Sequence, residues 1–299
     1  MSDDSQCTLC PRMCQVKREK QELGFCRMPK KITVSRAALH MWEEPCISGE
    51  EGSGAVFFSG CNLQCVYCQN KKIASGEVGI EISIEKLAEI FLNLQEKQAN
   101  NINLVTPTHF IRPIKKALLL AKERGLILPV VYNTSGYELM ESLKELDGLV
   151  DIYLPDFKYY DNAIAKKYSN VEDYFFYASC AVKEMVRQTK ELVLDERGMM
   201  KKGVIVRHLV LPGCIEDSKR VIKYLYETYG NNIMFSIMNQ YTPLEYVKDI
   251  PELNRKLTEE EYEELVNFAI DLGVENGYIQ EGETAQESFI PAFDYEGII

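Results

Sequence analysis

The sequence predicts an α/β protein built on a parallel sheet, and three features of the chain predict it. From Ala55 onward, short apolar or β-branched runs alternate with amphipathic stretches of helical period, six times in series. Successive β–α units of this kind form parallel strands joined by crossover helices. Polar residues and cysteines recur just past the ends of those runs, and parallel β/α folds gather their chemistry at the carboxyl ends of strands. A doubly wound sheet and a full or partial (β/α) barrel both fit this pattern.

In chain order, the expected strands are Ala55–Ser59, Ile102–Val105, Pro129–Asn133, Val150–Phe157, Val204–Leu211 and Ile233–Met238. Each is a short apolar run of the kind a buried parallel strand needs. The expected helices between them are Ile84–Lys97, Ile111–Arg124, Glu138–Leu146, Tyr174–Lys190 and Glu216–Tyr229. A last helix, Thr258–Leu272, opens on Thr258 with Glu261 three positions on, a capping box, and Gly273 closes it. Residues 1–54 have little periodicity and many Cys, Lys, Pro and Arg, and are expected to form a cysteine-rich extension. Residues 55–280 then form the β/α unit, and 281–299, with no clear period, a tail over its surface.

The 299 residues are 46% apolar and 26% charged, which excludes a disordered or fibrous chain. A net charge of −11 argues against a general nucleic-acid binder. Residues 1–50 run against that balance, with eight Lys/Arg to seven Asp/Glu. No apolar run approaches the ~20 residues that cross a bilayer. The start Met1-Ser2-Asp3-Asp4-Ser5 lacks the basic and apolar parts of a signal peptide. A soluble, cytoplasmic protein is expected.

Ten cysteines are many for such a chain, because disulfides seldom persist in the cytoplasm. Cys46, Cys180 and Cys214 are scattered and read as small buried hydrophobes. Cys61, Cys65 and Cys68 form a C-x3-C-x2-C loop directly after the first expected strand. Cubane clusters are normally held by four thiolates, so three leave one iron open to a small molecule. Zinc would want a fourth Cys or His, and three unrelated thiols are the remaining reading. Cys7, Cys10, Cys14 and Cys26 form a second set. Their four thiolates would close either an iron–sulfur cluster or a structural zinc site, and ordinary reduced thiols are the alternative.

The loop Gly60-Cys61-Asn62-Leu63-Gln64-Cys65-Val66-Tyr67-Cys68, with an aromatic residue before its last cysteine, resembles the signature of the radical S-adenosylmethionine superfamily. That resemblance implies a partial (β/α)6 barrel, a [4Fe–4S] cluster on Cys61, Cys65 and Cys68, and S-adenosylmethionine chelated by the open iron. It further implies reductive cleavage to methionine and a 5′-deoxyadenosyl radical that abstracts hydrogen. Together with Asn103–His109, Val206–Gly213 and the N-terminal cysteines, the loop is similar to the pyruvate formate-lyase activating enzyme-like proteins. True activases abstract hydrogen from a backbone glycine of a partner enzyme.

Carried over by position, Asp156-Phe157-Lys158 resembles the Asp-Leu-Lys motif of the activases, in which the lysine meets the methionine carboxylate and the aspartate a nearby cation. Asn133-Thr134-Ser135-Gly136 resembles their Asp-Thr-Asn-Gly element, with Asn in place of the first Asp. The family's Gly-Gly-Glu element is not evident, and Thr106 and Thr108 stand where it would be. The cofactor-binding residues expected are therefore Tyr67, Thr106, Thr108, Asn133, Ser135, Asp156, Lys158 and Arg207. Plainer roles exist for several: Asp156 and Lys158 share a strand face and can simply pair, Arg207 can neutralise a carboxylate between sheet and helices, and His109 can cap a helix. Arg207 and His208 must face opposite ways on one strand.

The expected reaction is thus radical chemistry, with a glycyl radical enzyme as the implied partner. Modification of another peptide residue or a small molecule, and a non-catalytic iron–sulfur electron carrier, are the alternatives. Either enzyme reading needs a one-electron donor such as flavodoxin or ferredoxin, with Lys71, Lys72 or the N-terminal basic residues as its contact.

Overall fold

The structure, a computed structural model, describes residues 6–280, 291 and 293–298. Met1–Ser5 and most of the expected tail, residues 281–290, 292 and 299, lie outside the described residues. The elements are β1 (Ile32–His40), α1 (Pro45–Ser48), β2 (Ser53–Phe58), α2 (Lys71–Ala74), β3 (Ile80–Ile82), α3 (Ile84–Glu96) and β4 (Ile102–Val105). They continue with α4 (Ile111–Glu123), β5 (Val130–Thr134), α5 (Met140–Lys144), β6 (Ile152–Pro155), α6 (Asn162–Ser169) and α7 (Tyr174–Thr189). The last are β7 (Val193–Leu194), β8 (Met200–Leu209), α8 (Ile215–Tyr229), β9 (Met234–Met238), α9 (Glu259–Leu272) and β10 (Gly277–Ile279).

The sheet runs β10-β9-β8-β6-β5-β4-β2-β1-β3, with β7 pinned to β8 as a hairpin. Every pairing from β2 to β9 is parallel, and neighbours follow chain order. A doubly wound sheet reverses its order at a switch point. Here the order never reverses, so the six strands β2, β4, β5, β6, β8 and β9 form a partial (β/α)6 barrel. Strand β1 extends the wall antiparallel on one side and β10 extends it parallel on the other.

The helices cover the outer wall through regular apolar stripes. Leu87, Ile90, Phe91 and Leu94 of α3 recur at three and four residues, as do Ile111, Ile114 and Leu118 of α4, and all are buried. The capping box on Thr258 and Glu261 forms, and Gly273 ends α9 at φ +105°.

The strands β1, β3, β7 and β10 escape the sequence pattern, and β1 is the longest of them. Residues 32–40, placed by composition in the cysteine-rich extension, form β1 between β2 and β3. Packing buries both of its faces, so it need not alternate, and its polar side chains are matched by distant partners. Ser35 donates to the carbonyl of Phe57 at 3.1 Å, and Arg36 pairs with Asp294 at 2.6 Å and with Glu296. Helix α6 was likewise unexpected, and begins on Asp161, whose carboxylate caps the N–H of Ala163 at 2.7 Å.

The chain after β1 closes the amino end of the barrel. Asn100 and Asn101, just before β4, donate to the carbonyls of Ser48 and Ile47 at 2.7 and 2.8 Å, holding α1 across the floor. At the other end, Gly136 takes φ +77° where a Cβ would run into the carbonyl of Asp156. Glu138 follows it into the interior and is fully buried. Its Oε1 accepts from Thr108 at 2.5 Å, from Tyr132 at 3.3 Å and from Thr134.

Burial outweighs these three hydroxyls and pushes the Glu138 carboxyl up to about 7. Between the unfolded value of about 4.3 and that point the native state holds the extra proton, so stability falls as pH rises. The contribution is full below about pH 4.3 and gone once pH passes the folded value. Glu138→Gln should flatten the urea midpoint across this window; a pH slope equal to that of the wild type would exclude this role.

Candidate active site

Strand β2 delivers the chain to the cysteine loop through Gly60, at φ +84°, where a Cβ would run into Met28 and the carbonyl of Cys26. Cys61, Cys65 and Cys68 then open onto a cavity of about 430 Å³ at the carboxyl ends of the strands. Leu63 N–H points at Cys61 Sγ at 3.4 Å, and Ser169 Oγ donates to Cys65 Sγ at 3.0 Å. Burial pushes the Cys61 thiol up to about 11 and Cys68 up to about 12, so a thiolate at either needs a cationic partner such as iron. Among the described residues no three Cys, His, Asp or Glu side chains converge as they do around a single metal ion. Zinc would want a fourth Cys or His, whereas a four-iron cube takes three thiolates and leaves one corner open. Three thiols on one loop, with donors aimed at sulfur, therefore suit a [4Fe–4S] cluster with one open iron.

Beneath the loop lies a polar and charged network drawn from five parts of the chain. Lys158 Nζ meets Asp156 Oδ2 at 2.6 Å, and Arg207 Nε meets Asp156 Oδ1 at 3.0 Å. The same guanidinium donates to Asn133 Oδ1 at 2.6 Å and to Glu43 Oε2 at 3.1 Å. Glu43 Oε1 accepts from Asn103 at 2.9 Å and Asn133 at 3.2 Å. Burial alone would raise the Asp156 pKa, but Lys158 and Arg207 outweigh it and hold the carboxyl below its ordinary value. Burial opposes the charge on Lys158 too, and Asp156 and Cys65 overcome it, so the amine stays protonated. Arg207 is held cationic against burial by Asp156, Glu44 and Glu43. Lys158 and Arg207 thus share one low-dielectric chamber with Asp156, Glu43 and Glu44, the last with its carboxyl pKa raised by burial, and Lys158 lies nearest the cysteine loop.

Of the expected cofactor residues, Tyr67, Thr106, Asn133, Ser135, Asp156, Lys158 and Arg207 border this cavity, and Thr108 does not. Thr108 is buried against Glu138. Thr106 has φ +58°, a strained setting for a β-branched residue that costs about 1–3 kcal/mol, and its N–H is held by the Asn133 carbonyl at 2.9 Å. Tyr67 donates to or accepts from Tyr159 at 2.7 Å, Tyr159 meets Ser169 at 2.7 Å, and Ser169 ends the chain on Cys65. His208 faces away from Arg207, between the Phe157 carbonyl at 2.7 Å and Ser218 at 2.9 Å. His109 caps no helix: it is buried with Nε2 2.6 Å from the Ser59 carbonyl. Lys71 and Lys72 are exposed on α2, with Lys71 3.9 Å above the Tyr246 ring.

Glu43, Glu44, Tyr159 and Ser169 were not foreseen. Glu43 lies in the short link before α1, sixty residues from its nearest network partner, and no spacing connects it to the site. Tyr159 directly follows the Asp156-Phe157-Lys158 element, which is the one signal that could have drawn attention to it.

The chain belongs to the radical SAM superfamily, whose family model matches residues 55–250. Members of that superfamily use a [4Fe–4S] cluster and S-adenosylmethionine, which are the cofactors this fold and cysteine loop are built for. An uncharacterized protein of Methanocaldococcus jannaschii is 31% identical over 273 residues, covering 88% of this chain and 74% of that protein. Streptococcus suis SuiB, solved bound to S-adenosylmethionine, is 11% identical with a TM-score of 0.51 over 74% of this chain and 48% of SuiB. The same enzyme bound to its precursor peptide SuiA gives a TM-score of 0.51 at 12% identity. This chain spans about half the length of SuiB, and the likeness is one of fold.

Two outcomes follow from the site. Arg207→Met leaves Asp156 and Glu43 buried without their shared cation and should cost about 3–5 kcal/mol of stability, with part recovered in Glu43→Gln/Arg207→Met. Urea melts of these two variants and of Glu43→Gln check this, and a double-variant loss equal to the sum of the two single losses would show that Glu43 and Arg207 do not couple. Ser169→Ala removes a hydroxyl donor from a cluster thiolate and should lower the cluster midpoint potential by on the order of 50 mV. A redox titration that finds it unchanged would remove Ser169 from the site.

Proposed function

We propose that the protein abstracts a hydrogen atom from a glycyl residue of a partner protein, in the manner of the pyruvate formate-lyase activating enzymes that its motifs resemble. The observation that carries the reading is the size and lining of the cavity. Small-molecule pockets run from ~300 to 1,000 Å³. At about 430 Å³ the chamber is of the size that suits one cofactor molecule such as S-adenosylmethionine. The hydrogen donor would then enter as a thin projecting segment, and a glycine in an extended loop is the narrowest such group.

In this reading Cys61, Cys65 and Cys68 hold the cluster, and Lys158 meets the methionine carboxylate of the cofactor. Asp156 fixes Lys158 and Arg207 in place, while Asn133, Ser135, Thr106 and Tyr67 line the bound cofactor. S-adenosylmethionine, when bound at the reduced cluster, supplies a 5′-deoxyadenosyl radical and methionine. The buried tyrosines Tyr67 and Tyr159 help to keep water from the chamber. Electrons come from a flavodoxin- or ferredoxin-type donor.

The reading is tested with anaerobically reconstituted protein, dithionite, S-adenosylmethionine and an extract of cells grown on α-deuterated glycine. Deuterium should appear in 5′-deoxyadenosine with the protein fraction and not with the small-molecule filtrate. Label from the filtrate would assign a small substrate. Unlabelled 5′-deoxyadenosine that forms only with the protein fraction would assign another peptide residue.

A further inference from the structure

The N-terminal cysteines are not a separate appendage, because their loop is clamped onto the loop of Cys61, Cys65 and Cys68. Arg12, between Cys10 and Cys14, donates from Nε to the carbonyl of Asn62 at 2.8 Å and from a terminal nitrogen to that of Leu63 at 3.4 Å. From the other side, Gln64 donates to the carbonyl of Phe25 at 2.6 Å. The residue before Cys65 and the residue before Cys26 are therefore one hydrogen bond apart. The carbonyl of Cys26 also abuts Gly60, which has no side chain to hold the loops apart.

The four thiols of the N-terminal set lie on one folded-back segment. Cys7 N–H donates to the Val16 carbonyl and its own carbonyl accepts from Gln15, both at 2.9 Å, closing a tight loop with Cys10 and Cys14 inside it. Cys10 lies within electrostatic reach of Cys14 and Cys26, and Cys26 within that of Cys7 and Cys14. Two sulfurs already receive donors: Arg18 reaches Cys26 Sγ at 3.0 Å, and Phe25 N–H points at Cys14 Sγ at 3.4 Å. Burial raises the pKa of Cys10 and Cys26 despite these donors, so thiolates there need a bound metal's positive charge as well.

We propose that Cys7, Cys10, Cys14 and Cys26 hold a second iron–sulfur cluster, which relays single electrons to the cluster on Cys61, Cys65 and Cys68. Four thiolates leave no open iron, so this cluster exchanges electrons and binds no substrate. A low-potential one-electron donor protein is oxidised by one electron, which reduces the N-terminal cluster and then the barrel cluster. The electron is finally consumed in breaking the carbon–sulfur bond of the sulfonium, giving methionine and the carbon radical. The Arg12 and Gln64 clamps hold the two cysteine loops side by side, the arrangement that electron transfer between them requires.

The test uses the full chain, reconstituted anaerobically. Iron and sulfide should each reach about eight per chain, and Cys61→Ala/Cys65→Ala/Cys68→Ala should keep about four, with a reduced-cluster electron paramagnetic resonance signal. Zinc in the N-terminal set, or a triple variant without iron, would overturn the cluster. If the triple variant does not fold, Cys7→Ala/Cys14→Ala should instead lower iron from about eight to about four, and a wild type holding only about four would overturn it equally. For the relay, 5′-deoxyadenosine formation is compared with flavodoxin and with dithionite as reductant. The flavodoxin-to-dithionite ratio should fall at least about tenfold in Cys7→Ala/Cys14→Ala. An equal fall with both reductants would make the set structural. Because 5′-deoxyadenosine itself is measured, the result is independent of which hydrogen the substrate gives.

Discussion

Arg207 is the interaction on which the barrel interior depends. Its guanidinium joins Asp156 and Asn133 at the carboxyl ends of neighbouring strands to Glu43 on the chain that closes the floor. An arginine can do this because its planar fork offers several donors in fixed directions and stays charged when buried. Removing four charges from water is costly, and the chamber tolerates them because they balance and nearly every oxygen is hydrogen-bonded. The network therefore orients rather than stabilises. It leaves Lys158 pinned by Asp156 within electrostatic reach of the cysteine loop.

The same economy governs the two faces of the sheet. Outside, the helices bury regular apolar stripes and supply the hydrophobic stabilisation. Inside, that driving force is given up for polar groups held by one another. Thr106 keeps a strained backbone at the mouth of this chamber, held by its bond to the Asn133 carbonyl. Strain of this kind survives only where surrounding structure over-determines the position. The tyrosine–serine chain from Tyr67 to Cys65 extends the order of the interior up to the sulfur ligands themselves.

The cysteine loop is short and has little structure of its own, so its neighbours shape it. Ser169 at the end of α6, Tyr137 through its carbonyl to Asn62, and Arg12 and Phe25 from the N-terminal segment all bear on it. A loop held from four sides keeps its geometry when the electron count of a bound cluster changes, which little reorganisation at the site requires.

The sequence by itself determined the order of strands and helices, because apolar period is a local property that survives in the chain. It also determined the cysteine loop, since ligand spacing on one turn is written in consecutive residues. Arg207, Asp156 and Lys158 were legible for the same reason, each lying at the end of a recognisable apolar run. Strand β1 was not, because burial on both faces erased its alternation. Thr108 lies near the strand end yet turns away to Glu138, a choice made by the backbone twist at Thr106 and by a carboxyl thirty residues on. Only the tertiary structure could bring Glu43 beneath Arg207, run Tyr67 through Tyr159 and Ser169 to Cys65, and set Arg12 against Leu63. Those contacts join residues far apart in the chain, and they depend on how the barrel curls, which no local pattern of side chains encodes.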